Sequence, residues 1–584
     1  VSVAAGDGPG GDSRLDQAAA QWLRWDKNPK TSEMVKQMIA GSNREELQRC
    51  FGSRMEFGTA GLRAAMGPGI SQMNDLTIIQ TTQGLCRYLE KAFSDVKKRG
   101  VVISFDARAD SSSGGSSKRF AQLGTIAFIS QGIPVYLFSN ITPISFVSYV
   151  VSHQNLCVGI MITASHNPKQ DNGYKAYWGY TAIISPQDKE ISQATEENQE
   201  PTKVSEDSII NNNLPLLDPY STINSDYFKK YCFHGNVNKS STVKFVHVSI
   251  CGVGQNFVQS AFKAFDLIPP NAVPQRAPDK FPTMKYPNPE EDKGILTLLF
   301  ALAEKVIILA NNPDADFVLA EKKSGEWKVF SGNEMGALLG RWLFTSWKDK
   351  NDQNALKDML KLFNVFSKIL RAIALKEGFH FEETLTGFQW MGNAKKLIDQ
   401  EETVVFALGE AIGCVCYSFV LDKASVGSMA VTRAFLAAKN LSLAVKIYTE
   451  YCYHILKVLY FIHHDQNIKN VFENLRNYKS TYPKFEVSRD RNLTTGYGSS
   501  QPDKKTILPT SKSSQMITFT FANGGVATMR TSGTEPKIKY YAELCVPPGN
   551  SDHEQLKKEL DDLVSAIEEY FFQPEKNKLQ PKSE

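Results

Sequence analysis

Between residues 101 and 162 short apolar runs alternate with amphipathic stretches. VVISF at 101–105 is almost continuously apolar, and SSKRFAQLGTIAFISQG repeats its apolar residues at helical spacing and stops at Gly132. PVYLF is apolar again, ITPISFVSYVVSHQ returns to the helical period, and LCVGIMI closes the series at 156–162. Buried strands alternating with helices of this length predict βαβ units on a parallel sheet. The alternation resumes with VKFVHVSI at 243–250, GQNFVQSAFKAF, ILTLLFALAEK and VIILA at 306–310. A third set follows: NEMGALLGRWLFTSW, SKILRAIALKEG and MGNAKKLI as helices, then TVVFAL at 403–408 as a strand. The polar stretch 187–226 is expected to be a connecting region.

The last portion reads differently. MITFTF, ANGG and VATMR predict a hairpin with a Gly-rich turn, and KIKYYAEL supplies a further strand. Ser551 and Glu554 form an expected capping box ahead of a helix with Leu556, Leu560, Leu563 and Ile567 on one face. The expected fold is α/β, with three similar α/β domains on mixed or parallel sheets and a C-terminal α+β domain. The expected boundaries are a Gly-rich tail at 1–13 and domains at 14–215, 216–330, 331–448 and 449–584.

A chain of 584 residues has room for roughly three to five domains. With 66 Lys and Arg against 62 Asp and Glu the formal charge is only +4, and no long single-sign block exists, which argues against a nucleic-acid partner. Nine scattered cysteines do not form a disulfide framework and fit a reducing compartment. Cys414 and Cys416 have neither zinc nor redox spacing and are expected to be buried thiols. The apolar runs are too short to span a bilayer and no signal-peptide pattern precedes them, so the cytosol is the expected location.

Three loops carry candidate chemistry. TASHNPKQDNGYK, Thr163 to Lys175, follows a strand at the end where open α/β sheets build ligand sites. Ser165 stands there with His166, Asn167, Lys169 and Lys175 nearby, donors and cations that suit a phosphoryl group on the serine. An Asn-Pro turn with solvated lysines would account for the same residues. A serine hydrolase would need a G-x-S-x-G elbow, which Ser165 lacks.

NNPDADF at 311–317 also follows a strand. An EF-hand is excluded because Phe317 and Lys323 occupy the positions that need Gly and Glu. Asp314 and Asp316 can offer oxygens to a hard cation such as Mg²⁺ with a phosphate facing it, although an isolated D-x-D is more often only a turn. RTSGTEPKIK, Arg530 to Lys539, is the strongest anion signal, with three cations around Ser532, Gly533 and Thr534. CGVGQN has Phe257 where a dinucleotide fingerprint needs its third glycine, and there is no Walker A.

Taken in order, the serine loop, the Asp loop, GNEMG at 332–336 and RTSGTEPK resemble the α-D-phosphohexomutase superfamily. EFGTAGLRAAMGPGISQMNDLTIIQTTQG and GIMITASHNPKQDNGYK resemble its phosphoglucomutase and phosphopentomutase branch, and the resemblance runs from about RLDQ to LQPK. It implies four domains around one central cleft and a monomer acting on sugar phosphates. It also implies a phosphoserine mutase interconverting the 1-phosphate with the 5- or 6-phosphate of pentoses or hexoses through a bisphosphate intermediate. Ser165 would be the phosphoserine, with Mg²⁺ held by Ser165, Asn312, Asp314 and Asp316. A sugar bisphosphate such as glucose 1,6-bisphosphate would be the activator. His166 and Lys175 take proton-transfer and charge roles, and Arg63 points into the cleft. Gly332, Asn333, Glu334 and Glu410 face the sugar, while Arg530, Ser532, Gly533, Thr534 and Lys537 grip the non-reacting phosphate. Two alternatives share these motifs: a glucose 1,6-bisphosphate synthase, and a catalytically weak or inactive sugar-phosphate-binding relative.

The chain departs from the family pattern in four places. The metal loop Asp-x-Asp-x-Asp-Arg has Asn312 for its first Asp and Phe317 for its Arg. Gly409 precedes Glu410 where paired glutamates are expected, Gln389 replaces the Lys of TGFK, and Ala424 and Ser425 replace the Asp-Gly after LDK. The missing charges predict a preserved fold and preserved phosphate grips with turnover far below that of an intact relative.

Overall fold

The computed structural model describes residues 11–58, 61–165, 167–179, 181–202, 216–231, 238–239, 245–249, 254–272, 300, 307–311, 317–323, 326–348, 360–364, 368–385, 387–397, 403–409, 413–416, 420, 422–423, 425–438, 450–451, 453–463, 468–477, 485–510, 514–532, 537–546 and 552–581. The helix expected at ILTLLFALAEK lies outside them except for Phe300. The chain divides into two compact units, one of Ser2–Met335 with Phe388–Asn440, the other of Gly336–Gly387 with Leu441–Glu584.

The first unit opens on helices Gly11–Trp25, Pro29–Ala40 and Arg44–Phe51. Helical structure thus begins inside the stretch expected to be a tail to residue 13. Strands β1 (Leu62–Ala65), β2 (Val101–Phe105), β3 (Val135–Leu137), β4 (Val158–Ile162), β5 (Asp171–Trp178), β6 (Thr181–Ala182) and β7 (Leu216–Leu217) form one sheet. Its order is β1-β5-β4-β2-β3-β7, with β6 on β5. β2 pairs in parallel with β3 and β4, whereas β5 runs antiparallel to both β4 and β1. The parallel strands are the continuous apolar runs because helices cover both faces, and every residue of β2 and β4 is buried. The helices start where capping chemistry allows. Asn74 accepts from the Thr77 amide ahead of Asp75–Ala92, and Ser116 accepts from the Arg119 amide ahead of Ser117–Ser130.

Among the described residues of the connecting region expected at 187–226, helix Gln187–Glu197 forms and helix Tyr220–Tyr231 begins. The first packs on Asp75–Ala92, burying Ile191, Ala194 and Thr195. A second sheet of the same unit has the order β12-β11-β10-β8-β9, from β8 (Phe245–Ser249), β9 (Asn271–Ala272), β10 (Ile307–Asn311), β11 (Phe317–Lys323) and β12 (Glu326–Val329). β10 is parallel to β8 and antiparallel to β11, so Asn311 closes one strand and Phe317 opens the strand beside it.

In the other unit β13 (Leu360–Asn364) pairs in parallel with β14 (His380–Glu383). In the first unit β15 (Thr403–Leu408) and β16 (Cys414–Val415) are antiparallel. The C-terminal sheet has the order β19-β18-β20-β21-β22-β17-β23. Its strands are β17 (Tyr453–Ile462), β18 (Val487–Asn492), β19 (Tyr497–Gly498), β20 (Met516–Phe521), β21 (Val526–Thr531), β22 (Lys537–Val546) and β23 (Gln580–Pro581). The expected hairpin is β20–β21. Helix His553–Ala566 buries Leu556, Leu560 and Leu563 in the core of this sheet, and Ile567 follows in the next turn. Its cap differs from the expected Ser551–Glu554 box. Asp552 is the N-cap and accepts from the Gln555 amide, and Glu554 pairs with Lys557 instead.

At the end of β14, Glu383 is bound by Lys368 and, at 3.1 Å, by Arg491. Burial pushes its carboxyl up, but the two cations outweigh that and hold it at about 2, below its ordinary 4.5. A carboxyl depressed in the folded state contributes stability above its ordinary value and loses it as pH falls toward the folded value. Between pH 4.5 and 2 the wild type should therefore lose stability more steeply than Glu383→Gln, which denaturant titrations at each pH will measure.

Candidate active site

Ser165 lies just past the carboxyl end of β4, where the strand has run out of ladder partners and the chain turns toward β5. It is 1% exposed and has φ of +59°, the left-handed region that a non-glycine residue adopts only when its surroundings impose it. The imposing contacts come from below. The Arg108 guanidinium donates to four carbonyls of the loop, those of Ser165 (2.6 Å), Asn167 (3.0 Å), Pro168 (2.8 Å) and Asp171 (3.0 Å). Arg108 is itself held by Asp106 at 3.2 Å, both side chains being fully buried. Asp106 also accepts from the hydroxyls of Thr163 (2.6 Å) and Ser117 (2.5 Å), and the Ser165 amide donates to the Thr163 hydroxyl at 3.0 Å. Asp106 and Arg108 thus tie the loop to the end of the neighbouring strand β2.

On its other side the serine hydroxyl meets cations. Lys175 Nζ donates to Ser165 Oγ at 2.6 Å, and Arg63 reaches the same oxygen at 3.4 Å and Asn167 Oδ1 at 3.3 Å. Lys175 is buried in β5 and Arg63 sits in β1, so three strands of one sheet converge on a single hydroxyl. Because Asp106 balances Arg108, the described charges that reach the hydroxyl are those of Lys175 and Arg63. A phosphoryl group of nearly two negative charges is what such a pair accommodates. His166 lies outside the described residues.

The Asp loop is framed rather than described: Asn312, Asp314 and Asp316 lie outside the described residues. Among the described ones, no group of three His, Cys, Asp or Glu side chains is placed to hold a metal. The frame is informative at Asn311, which is fully buried with its Oδ1 2.7 Å from His247 Nε2. His247 Nδ1 lies 3.1 Å from Gln255 Oε1, and burial pushes the imidazole pKa down while its two hydrogen-bond contacts oppose that shift. Asn311 is thereby part of a buried hydrogen-bond network at the end of β10.

Glu334 is placed at a helix start. Its carboxylate accepts from the Ser331 amide at 2.9 Å and from Lys328 at 2.9 Å, and its own amide donates to the Ser331 hydroxyl at 3.3 Å, a capping box for helix Gly332–Lys348. Gly332 and Asn333 form the first turn of that helix. Glu410 lies outside the described residues. At its neighbour Gly409, an added Cβ would stand 2.5 Å from the Phe388 ring. That ring is 7% exposed, with Lys423 Nζ 5.8 Å from its centre. Gly409→Ala should cost roughly 1–2 kcal/mol of stability by overpacking, read as a lower melting temperature. Gly409→Glu should not by itself restore a glutamate function, since the ring fills the space.

In the other unit, Arg530 and Lys539 are cross-strand partners on β21 and β22, and the Ser532 amide donates to the Lys537 carbonyl at 2.8 Å. Arg530 lies 5.9 Å from the Tyr541 ring centre and Lys537 Nζ 4.3 Å from that of Tyr460. The cations thus flank a loop whose Gly533 and Thr534 lie outside the described residues.

The sequence reading missed Asp106 and Arg108. Their signal was DARAD directly after VVISF, charges at the carboxyl end of a parallel strand. No helix among the described residues is long and apolar enough to cross a membrane.

Residues 54–202 match the family model for phosphoglucomutase/phosphomannomutase α/β/α domain I, and 225–325 match that for domain II. The chain is 69% identical to phosphopentomutase from Homo sapiens over 612 residues, covering 100% of both. It is 49% identical to human glucose 1,6-bisphosphate synthase over 597 residues, 97% of this chain and 96% of that one. The open form of Paramecium parafusin, a phosphoglucomutase, superposes with a TM-score of 0.65 at 15% identity, covering 91% of this chain and 98% of that one, a likeness of fold.

Proposed function

Because the chain belongs to the phosphoglucomutase/phosphomannomutase family, we propose that this sugar-phosphate mutase works on pentoses, interconverting ribose or deoxyribose 1-phosphate and 5-phosphate, with hexose phosphates as poorer substrates. The observation that carries the reading is the convergence of Lys175 and Arg63 on a buried Ser165 hydroxyl held in a left-handed turn. The 69% identity to a phosphopentomutase, against 49% to a bisphosphate synthase, supports the pentose reading over the synthase.

Ser165 carries the phosphoryl group in the resting enzyme. A sugar hydroxyl attacks the phosphorus, the bond to Ser165 Oγ breaks as the new one forms, and Lys175 stabilises the departing oxygen. His166 takes the proton of the attacking hydroxyl. The bisphosphate then reorients and Ser165 Oγ attacks the other phosphorus, its bond to the sugar oxygen breaks and that oxygen takes the proton back from His166, while Arg530, Ser532, Gly533, Thr534 and Lys537 hold the phosphate that is not reacting. The Arg108 brace keeps the serine in place between the two half-reactions, so each one meets the same geometry. When the phosphoryl group is lost to hydrolysis, a sugar bisphosphate transfers one phosphoryl back to Ser165 and leaves as the monophosphate. Asn312, Asp314, Asp316 and Ser165 offer hard oxygens, the donor set that Mg²⁺ takes, and the ion when bound neutralises charge on the transferring group. We place the enzyme in the cytosol as a monomer.

A coupled assay series tests this. Ribose 1-phosphate should turn over faster than glucose 1-phosphate, and an acyl-phosphate donor with glucose 1-phosphate should yield little bisphosphate. Faster bisphosphate formation than pentose isomerisation would make the synthase the correct reading.

A further inference from the structure

A second chemical constellation lies in the C-terminal sheet. His454 on β17 and Cys545 on β22 are directly opposed in the antiparallel ladder, and Cys545 Sγ is 3.3 Å from His454 Nε2. The other ring nitrogen, Nδ1, is 2.9 Å from Glu543 Oε1, two residues before the cysteine on the same face of β22. Glu543 also accepts from the Lys368 backbone amide at 3.1 and 3.2 Å. The side chains of His454 and Glu543 are 2% and 4% exposed.

These contacts fix the proton inventory. An ionised Glu543 has only acceptors to offer, so His454 Nδ1 must carry the hydrogen that bonds to it. In the neutral ring Nε2 is then an acceptor within reach of the thiol S–H. Nucleophile, base and orienting carboxylate stand in the relation that activates a nucleophilic side chain. Access separates Cys545 from the other described cysteines: Cys50, Cys86, Cys157, Cys414 and Cys416 are all buried, and Cys545 alone among them is partly exposed. Burial pushes the thiols of Cys50 and Cys157 up to about 11 and that of Cys416 up to about 12, which makes them inert.

The phosphoryl-transfer chemistry has no use for this group. Cys545 lies eight residues along β22 from Lys537, roughly 26 Å at the rise of an extended strand. We propose that Cys545 is a thiol-modification site, with His454 as its base and Glu543 as the residue that orients the base, and that it reacts with low-molecular-weight disulfides. In the exchange the S–H proton passes to His454 Nε2 and the Cys545 sulfur attacks one sulfur of the disulfide. A new S–S bond forms, the old one breaks, and the leaving thiolate takes the proton from His454. Cys545 is oxidised to a mixed disulfide and half of the reagent is reduced to a thiol, so no other oxidant is required.

The test uses the full-length protein and an aromatic disulfide, 5,5′-dithiobis(2-nitrobenzoate), at neutral pH under native conditions, with intact mass and peptide mapping to follow each cysteine. Cys545 should be loaded at least roughly tenfold faster than free N-acetylcysteine, and His454→Gln should remove most of that advantage, a gain typical of an assisting base. Glu543→Gln should fall between the two. A purely structural role would lower the melting temperature of these variants without changing the exchange rate of Cys545. A wild-type rate at Cys545 no higher than that of N-acetylcysteine overturns the proposal whether or not the variants fold. So does an unchanged rate in a folded His454→Gln.

Discussion

Ser165→Ala should abolish turnover, a loss of roughly four orders of magnitude or more, as is usual when the nucleophile of a covalent mechanism is removed. The loss should appear in the maximal rate and be insensitive to sugar or bisphosphate concentration. The reason is geometric. Arg108 binds the carbonyls of the loop and Thr163 binds its amide, so the backbone conformation of residue 165 does not depend on the serine side chain. The variant should fold with its loop intact and with Lys175 and Arg63 still in place. On the proposed mechanism, what disappears is the oxygen that carries the phosphoryl group. Intact-mass analysis after treatment with glucose 1,6-bisphosphate gives the decisive comparison: wild type should gain one phosphoryl group on Ser165 and the alanine variant none. Phosphate appearing on another residue, with turnover retained, would move the acceptor elsewhere.

Two kinds of signal in the chain were unequally legible. β2 and β4 were plain because burial on both faces leaves continuous apolar runs. The Ser165 loop was plain because it combines a strand end, a serine and cations within a few residues. Helix Gln187–Glu197 was obscure because the face it buries is mostly small or polar, Ile191, Ala194 and Thr195, so its period is faint. The signal was on its partner. Gly84 stands in the middle of helix Asp75–Ala92, and a Cβ there would fall 2.6 Å from the Thr195 Cα, so the two helices approach backbone to backbone. The choice of Asp552 over Ser551 as N-cap was unreadable, since both are good caps and only the path of the entering chain decides. The Asp106–Arg108 brace was missed for a different reason: DARAD marks charges at a strand end, but the carbonyls that Arg108 binds lie about 60 residues away and the sequence pattern does not pair them with it.

Asn312→Asp and Phe317→Arg should act in opposite directions when made singly and together should give the fastest enzyme. The family loop Asp-x-Asp-x-Asp-Arg carries three negative charges and one positive; with Asn312 and Phe317 this chain has lost one of each, so the loop's formal charge is unchanged. The loss is in where the charges stand. Asn312→Asp alone adds a ligand charge beside the metal, which at an effective dielectric near 20 is worth up to about 4 kcal/mol at 4 Å and, with solvent screening, nearer 1–3 kcal/mol. Mg²⁺ affinity should rise by roughly 10–100-fold on that basis. Phe317→Arg alone puts a cation beside a loop that still lacks its third carboxylate, so Mg²⁺ binding should weaken and turnover should fall below wild type. In the double variant the added carboxylate would strengthen the proposed metal loop and the guanidinium would restore its cation, and turnover should exceed either single variant by more than the product of their effects. The Asn311 amide oxygen is already engaged by His247. Calorimetric Mg²⁺ titrations and coupled turnover of ribose 1-phosphate on the four proteins read both predictions. Wild-type turnover equal to that of the double variant, or faster turnover in Phe317→Arg alone, would show that the lost pair of charges does not limit this enzyme.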